Sequence, residues 1–282
     1  MGFQISSSQI NQFKEEGYLI LPELFNADEV RHMQAEADFI LELILNSSIC
    51  NKRKSRRLDI RKLPLGIQMV RKIQPINDLS RYLSEVSADD RLVGPLRQLM
   101  GDEPILMEEK LNYKEPLPKA VDIEAPEIDD RFPVHNDWAY YLAQNYPQEI
   151  ISSAISMDAC TPESGPLRVW PGSHKQHREH EKMELGLQVK PGLIDFDGGQ
   201  DVLCPPGSVM LFHSVLVHNS CPNVSGKPRR LMIYSHYPKA FNMGADVRNG
   251  PTRLRESPYE LDYLRAKLKG DFQDVFVAPT FG

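Results

Sequence analysis

The chain has 282 residues, a formal charge of −6, 41% hydrophobic and 26% charged residues. These fractions lie near the globular averages of ~45–50% and ~25%, which excludes a collagenous, low-complexity or wholly disordered chain. The net negative charge provides no global field for phosphate backbones, which argues against general nucleic-acid binding. No window approaches ~18 uninterrupted apolar residues, which argues against a membrane-spanning helix. The start, MGFQISSSQINQFKEEG, has neither a basic nor an apolar leader region, so the expectation is an unsecreted, cytoplasmic protein. Cys50, Cys160, Cys204 and Cys221 are too widely spaced for a CxxC pair and read as reduced thiols.

In chain order, the first hundred residues read as helical. Ser6 to Ser8 offer N-caps to a short helix that Gly17 can stop, and YLILPEL follows as a strand-like run. From Asp28 the apolar residues of EVRHMQAEADFILELIL recur at three and four, the period of a long amphipathic helix. NKRKSRR at 51–57 reads as a basic, solvated loop. INDLSRYLSEVS and ADDRLVGPLRQLMG suggest two further helices, the second stopped by Gly101. After Gly101 the texture changes to short β-branched and aromatic runs punctuated by Pro and Gly. PILMEEKLNYKE, FPVHNDWAYY, ISSAISMDA, PLRVWPG, SVMLFHSVLVH and RRLMIYSHYP read as strands. Short strands without alternating helices argue for a sandwich or jelly roll over a parallel βαβ sheet. SPYELDYLRAKLKGD reads as a surface helix with Ser257 and Glu260 spaced as a capping box.

His135-Asn136-Asp137 lies inside one predicted strand. Residues i and i+2 of a strand share a face, so His135 and Asp137 can converge on one ion while Asn136 points away. A second strand ends in His218, which can supply a third ligand. Two His and one carboxylate on one side of an ion leave the other side open, the arrangement of non-haem Fe(II) oxygenases. The alternative is two satisfied core histidines and a turn aspartate. Arg229 begins the strand after His218, and a guanidinium there can grip a carboxylate with two charge-assisted hydrogen bonds. Arg230 beside it alternates to the other face, so one of the pair points inward, and spacing favours Arg229. His174, His177 and His180 also repeat at three, which suggests either a zinc site or a charged surface segment. His213 falls on the opposite strand face from His218 and is not expected to be a ligand.

These segments resemble the phytanoyl-CoA dioxygenase family of Fe(II)- and 2-oxoglutarate-dependent oxygenases. The resemblance rests on His135-Asn136-Asp137, on Pro162-Glu163-Ser164-Gly165-Pro166-Leu167 and on Pro171-Gly172-Ser173-His174. It extends to His218-Asn219-Ser220-Cys221-Pro222-Asn223 with Arg229-Arg230, and to the opening FKEEGYLILPELFNADEV, covering about residues 10–240. It implies a single domain over 1–282: a helical part at 1–103, a double-stranded β-helix (jelly-roll) core at 104–240, and a tail and helix at 241–282. It further implies Fe(II) on His135, Asp137 and His218, and 2-oxoglutarate and O2 as co-substrates. The far carboxylate of 2-oxoglutarate would meet Arg229, with Ser220 and Asn112 as further polar contacts and Phe132 as a pocket wall. Asn219 departs from the family's frequent glycine after the distal histidine. Because a carboxylate fills the third ligand position, the resemblance implies hydroxylation of an unactivated C–H bond, with release of succinate and CO2, over halogenation.

The expected substrate wall comprises Glu108, Lys110, the Trp138 to Tyr140 segment, Arg168, and the strand of Ile233 and Ser235. Facing charges at Lys110 and Arg168 favour an anionic or zwitterionic small molecule, and Glu108 can hold an amine. For Trp138, Tyr140 and Tyr141 ordinary packing is the alternative reading. Two functional classes remain: an oxygenase acting on a small polar or secondary metabolite, by hydroxylation, desaturation or cyclisation, and a non-catalytic metal-binding β-barrel that senses a ligand. The triad together with Arg229 favours the enzyme. The sequence leaves the oligomeric state open.

Overall fold

Local chemistry sets the first elements of the chain, for which a computed structural model describes residues 2–62, 68–117, 132–184, 186–244 and 258–275. Helix α1 (Ser7–Glu16) starts at a reciprocal cap between Ser6 and Gln9 and ends where Gly17 turns left-handed at φ 84°. Strand β1 (Tyr18–Leu21) follows. Helix α2 (Ala27–Cys50) opens on a second capping box, Asn26 with Glu29, two residues before the expected Asp28. Its buried Val30, Met33, Ala37, Ile40 and Ile44 form one apolar stripe.

The next segment departs from the helical expectation. Leu58–Lys62 (β2) and Gln68–Ile73 (β3) form an antiparallel hairpin. Lys72 pairs with Asp59 and Val70 with Ile60, so Arg71 is the extra residue of a β-bulge. Leu58, Ile60, Val70 and Ile73 join the main core. The bulge therefore turns Arg71 and Lys72 together to the other side of the sheet. Helices α3 (Arg81–Val86) and α4 (Asp90–Met100) match the two expected helices, and Gly101 ends α4 at φ 66°.

The strands from β4 (Pro104–Lys114) onward are β5 (Phe132–His135), β6 (Ile151–Ser156), β7 (Leu167–Val169), β8 (His180–Met183), β9 (Gly186–Val189), β10 (Gln200–Asp201), β11 (Val209–His213), β12 (His218–Ser220) and β13 (Arg229–Pro238). They form a seven-stranded sheet, β1-β11-β6-β13-β4-β3-β2, a four-stranded sheet, β10-β7-β12-β5, and the β8-β9 hairpin, every pair antiparallel. The outer face of the large sheet, with Leu111, Tyr113, Met232 and Tyr234, packs on α2. Its inner face, with Ala154, Phe212, Leu231 and Ile233, meets Val169 of the small sheet. This is the expected jelly-roll arrangement of two facing sheets.

Two expected strands are shorter than the sequence suggests. FPVHNDWAYY leaves extended geometry after His135, and Trp138–Tyr141 forms a helical turn, α5, begun by Asn136 Oδ1 accepting from Ala139 N at 3.0 Å. SVMLFHSVLVH is split at Ser214–Val217, where a turn carries the chain from β11 in the large sheet to β12 in the small one. At the C-terminal end, α6 (Pro258–Lys269) covers α2 with Tyr263 and Glu260 buried. Ser257, the expected capping partner of Glu260, lies outside the described residues.

Candidate metal and ligand site

Strands β5 and β12 are neighbours in the small sheet, and His135 lies directly opposite His218. Asp137 joins them through the turn after β5, at φ −64° and ψ −34°, and not through strand alternation as expected. One ligand atom from each of His135, Asp137 and His218 lies within 4.8 Å of the others, and all three residues are buried. The Nδ1 of His135 lies 2.6 Å from the Pro133 carbonyl and that of His218 lies 2.9 Å from the Leu216 carbonyl. A carbonyl only accepts, so both Nδ1 atoms carry the proton and both Nε2 lone pairs are free for an ion. Each Nε2 lies 3.8 Å from Asp137 Oδ1. Burial pushes the His135 pKa down to about 3, which keeps the ring neutral as a metal ligand must be. Burial alone would raise the Asp137 carboxyl, but Lys110, His218, His135 and Lys72 outweigh it and hold it below its ordinary value. The donor set therefore fits a divalent ion with an open side.

The triad lies in the wall of a cavity of about 410 Å3. At one end β13 begins with Arg229, paired in register with Lys114, and Leu231 is opposite Asn112. Arg229 Nη2 donates to Gly165 O at 2.5 Å, and Lys114 Nζ donates to Ser220 Oγ at 3.2 Å. The Asn112 Oδ1 is buried with no hydrogen-bond partner among the described residues, and Phe132 and Asn219 also line this space. Arg230 faces the helices, bound to Asp158 at 2.9 Å and Asp38 at 2.5 Å, as strand alternation requires.

Of the residues expected to meet substrate, Glu108, Lys110, Tyr140 and Ile233 line the cavity. Glu108 bonds Lys110 at 3.0 Å and Tyr141 Oη at 2.6 Å, and the Tyr140 ring stands edge-on to His135 at 5.7 Å. Three others are placed elsewhere. Trp138 begins α5 and turns away, packing on His177 and donating to Tyr146 O. Arg168 alternates with the inward Leu167 and Val169, and so it pairs with Asp201 at 2.8 Å on the far face. Ser235 is fully buried against Ser152 at 2.9 Å, outside the cavity lining.

The three spaced histidines do not assemble as ligands among the described residues. His177 and His180 stack at 5.3 Å and hydrogen-bond Asn136, bracing the turn between His135 and Asp137. His213 accepts from Val215 N and lies near His174, away from the triad. Sequence reasoning missed Arg71, Lys72, Asp59 and Gln74, all cavity-lining. Two of them, Arg71 and Lys72, stand on β3, where the short apolar pair Met69-Val70 and the later Ile73 were the only sequence sign of a strand.

Residues 13–231 match the family model for phytanoyl-CoA dioxygenase. Ectoine dioxygenase of Sphingopyxis alaskensis is 28% identical over 247 residues, which cover 80% of this chain and 73% of the relative. Methylphosphonate hydroxylase of Gimesia maris is 24% identical, covering 84% and 82%. The crystal structure of EctD from S. alaskensis with 2-oxoglutarate and 5-hydroxyectoine superposes with a TM-score of 0.65 at 25% identity, over 84% of this chain and 77% of that one. With a family match over most of its length and the same architecture, the chain belongs to the phytanoyl-CoA dioxygenase family.

Proposed function

We infer that the protein is an Fe(II)- and 2-oxoglutarate-dependent dioxygenase that hydroxylates an unactivated C–H bond of a small polar metabolite. The observation that carries this reading is one cavity containing both a His-Asp-His ligand set and a buried arginine at the start of β13. His135, Asp137 and His218 would hold the iron, and Arg229, with Lys114, Ser220, Asn112 and Phe132 around it, would bind 2-oxoglutarate by its far carboxylate. Bound iron supplies oxygen activation and the oxidative decarboxylation of 2-oxoglutarate to succinate and CO2.

The chain's own residues position and exclude. The two backbone-anchored imidazoles keep their rings fixed before any ion arrives, so no reorganisation follows loading. Tyr140 and Gly186 of the β8-β9 hairpin line the cavity beside the triad and are joined by Leu187 N donating to Tyr140 Oη at 2.8 Å, which walls the site on that side. Glu108 and Lys110 neutralise each other at 3.0 Å and give the substrate wall a zwitterionic strip. The named activities of the relatives, on ectoine and methylphosphonate, fit a small polar substrate in a space of this size. Succinate formation from 2-oxoglutarate under Fe(II), ascorbate and O2 tests the reading. Succinate release that disappears in His218→Ala supports it; absence of release from the iron-loaded wild type, with or without candidate substrates, overturns it.

A further inference from the structure

Arg71 is 7% exposed, and its Nε and Nη2 are buried with no hydrogen-bond partner among the described residues. It forms no ion pair there; its guanidinium lies over the Phe132 ring at 3.9 Å. An arginine left this way at a structural position is costly, because buried N–H donors lose water without replacement. The bulge at Arg71 makes the arrangement specific. With Val70 and Ile73 both packed against the core, the extra residue lets Arg71 and Lys72 turn together to the cavity side of the sheet.

Charge balance points to what the guanidinium meets. Among the described residues, the cavity wall carries Arg71 and Lys72 side by side on one strand, with Asp59 and Glu108 as the carboxylates on that side. Burial, then the neighbouring Lys110 and Arg71 charges, lower the Lys72 pKa against the opposing pull of Asp59 and Glu108. Glu108 is already bonded to Lys110 and Tyr141 and is not free for Arg71.

We propose that Arg71, with Lys72 beside it, is the subsite for an oxoanion group on the substrate, a carboxylate or a phosphonate. The planar guanidinium presents two unmatched donors, Nε and Nη2, the edge that binds two oxygens of one oxoanion. This assignment rests on the oxygenase reading, which gives 2-oxoglutarate the Arg229 end. It names the substrate class that this reading leaves open.

The test is binding to the full-length protein loaded with Mn(II) and saturating 2-oxoglutarate, by calorimetric titration with methylphosphonate, acetate and, as the uncharged control, dimethyl methylphosphonate. Wild type binds at least one of the two anions saturably and not the neutral ester. Arg71→Gln weakens that binding about tenfold or more, Arg71→Lys restores part of it, and 2-oxoglutarate affinity stays within about threefold of wild type in both. Failure of both anions to bind wild type overturns the proposal. So does an equal loss of 2-oxoglutarate affinity in Arg71→Gln, which assigns Arg71 to the co-substrate. If wild type does not bind 2-oxoglutarate, the oxygenase reading falls. The effect of Arg71→Gln on anion binding still decides the subsite.

Discussion

His135 and His218 are held by carbonyls two residues upstream, at Pro133 and Leu216, so each ring is oriented by its own strand end. Removing any one ligand leaves two, too few to hold a facial site. Alanine at His135, Asp137 or His218 is expected to abolish succinate formation and iron retention while far-UV circular dichroism stays unchanged. Near-normal iron content in any of the three variants would refute the ligand assignment. The adjacent arginines separate binding from stability. Arg229→Ala should raise the KM for 2-oxoglutarate roughly 30-fold or more, since truncating a buried charged partner costs ~2–5 kcal/mol. Arg230→Ala should leave that KM near wild type and lower the Tm instead, because it strips Asp158 of its guanidinium partner. Kinetics in 2-oxoglutarate and thermal melts on both variants check this; the opposite pattern means the inward residue has been misassigned.

The cap of α4 is tied to α2 through Arg91. Asp89 accepts from Arg91 N at 2.9 Å, and Asp89 and Glu29 each grip its guanidinium at 2.7 Å. Hydrogen bonding to Arg91 holds both carboxyls below their ordinary values of 3.8 and 4.5. An acid with a depressed folded pKa contributes stability that is complete above its unfolded value and is lost as pH falls through the folded one. The Tm advantage of wild type over Arg91→Ala should therefore hold from neutral pH to about 5 and shrink below about 4. An undiminished advantage at pH 3 would mean that Arg91 acts through its packing on Phe25, at 4.3 Å. Elements of this kind were legible in the sequence: Ser6, Gly17 and Gly101 mark helix ends by their chemistry, and the β13 run RRLMIYSHYP is long enough to be unmistakable. The β2-β3 hairpin was not. Its inner face is a cavity wall of Asp59, Arg71 and Lys72, so the apolar alternation that announces a strand is replaced by charge, and the bulge breaks the period. The triad was legible by residue type, but its geometry was not. Asn136 starts a helical turn by a side-chain bond, and Ser214–Val217 stays apolar while the chain changes sheets, so periodicity gives no sign of either turn.

The candidate site joins the two sheets. All three candidate metal ligands come from the small-sheet side, on β5, the turn after it, and β12, whereas Arg229, Lys114 and Asn112 stand on β13 and β4 of the large sheet. An ion held by this set would join two neighbouring strands. A co-substrate held by the ion and by Arg229 would connect the facing layers across the cavity. Ligands that bind only the folded state stabilise it by RT ln(1 + [L]/Kd), about 2.7 kcal/mol at a hundredfold excess over Kd, or roughly 5 °C in Tm for a chain of this size. The expected pattern under thermal melting is ordered. Mn(II) raises the Tm of wild type, 2-oxoglutarate adds a further increment in the presence of Mn(II), and EDTA removes both. Arg229→Ala should keep the metal increment and lose most of the second, whereas His218→Ala should lose both. If 2-oxoglutarate stabilises the EDTA-treated protein as strongly as the Mn(II)-loaded one, its binding does not pass through the ion. The bridge between the sheets would then rest on Arg229 and its neighbours alone.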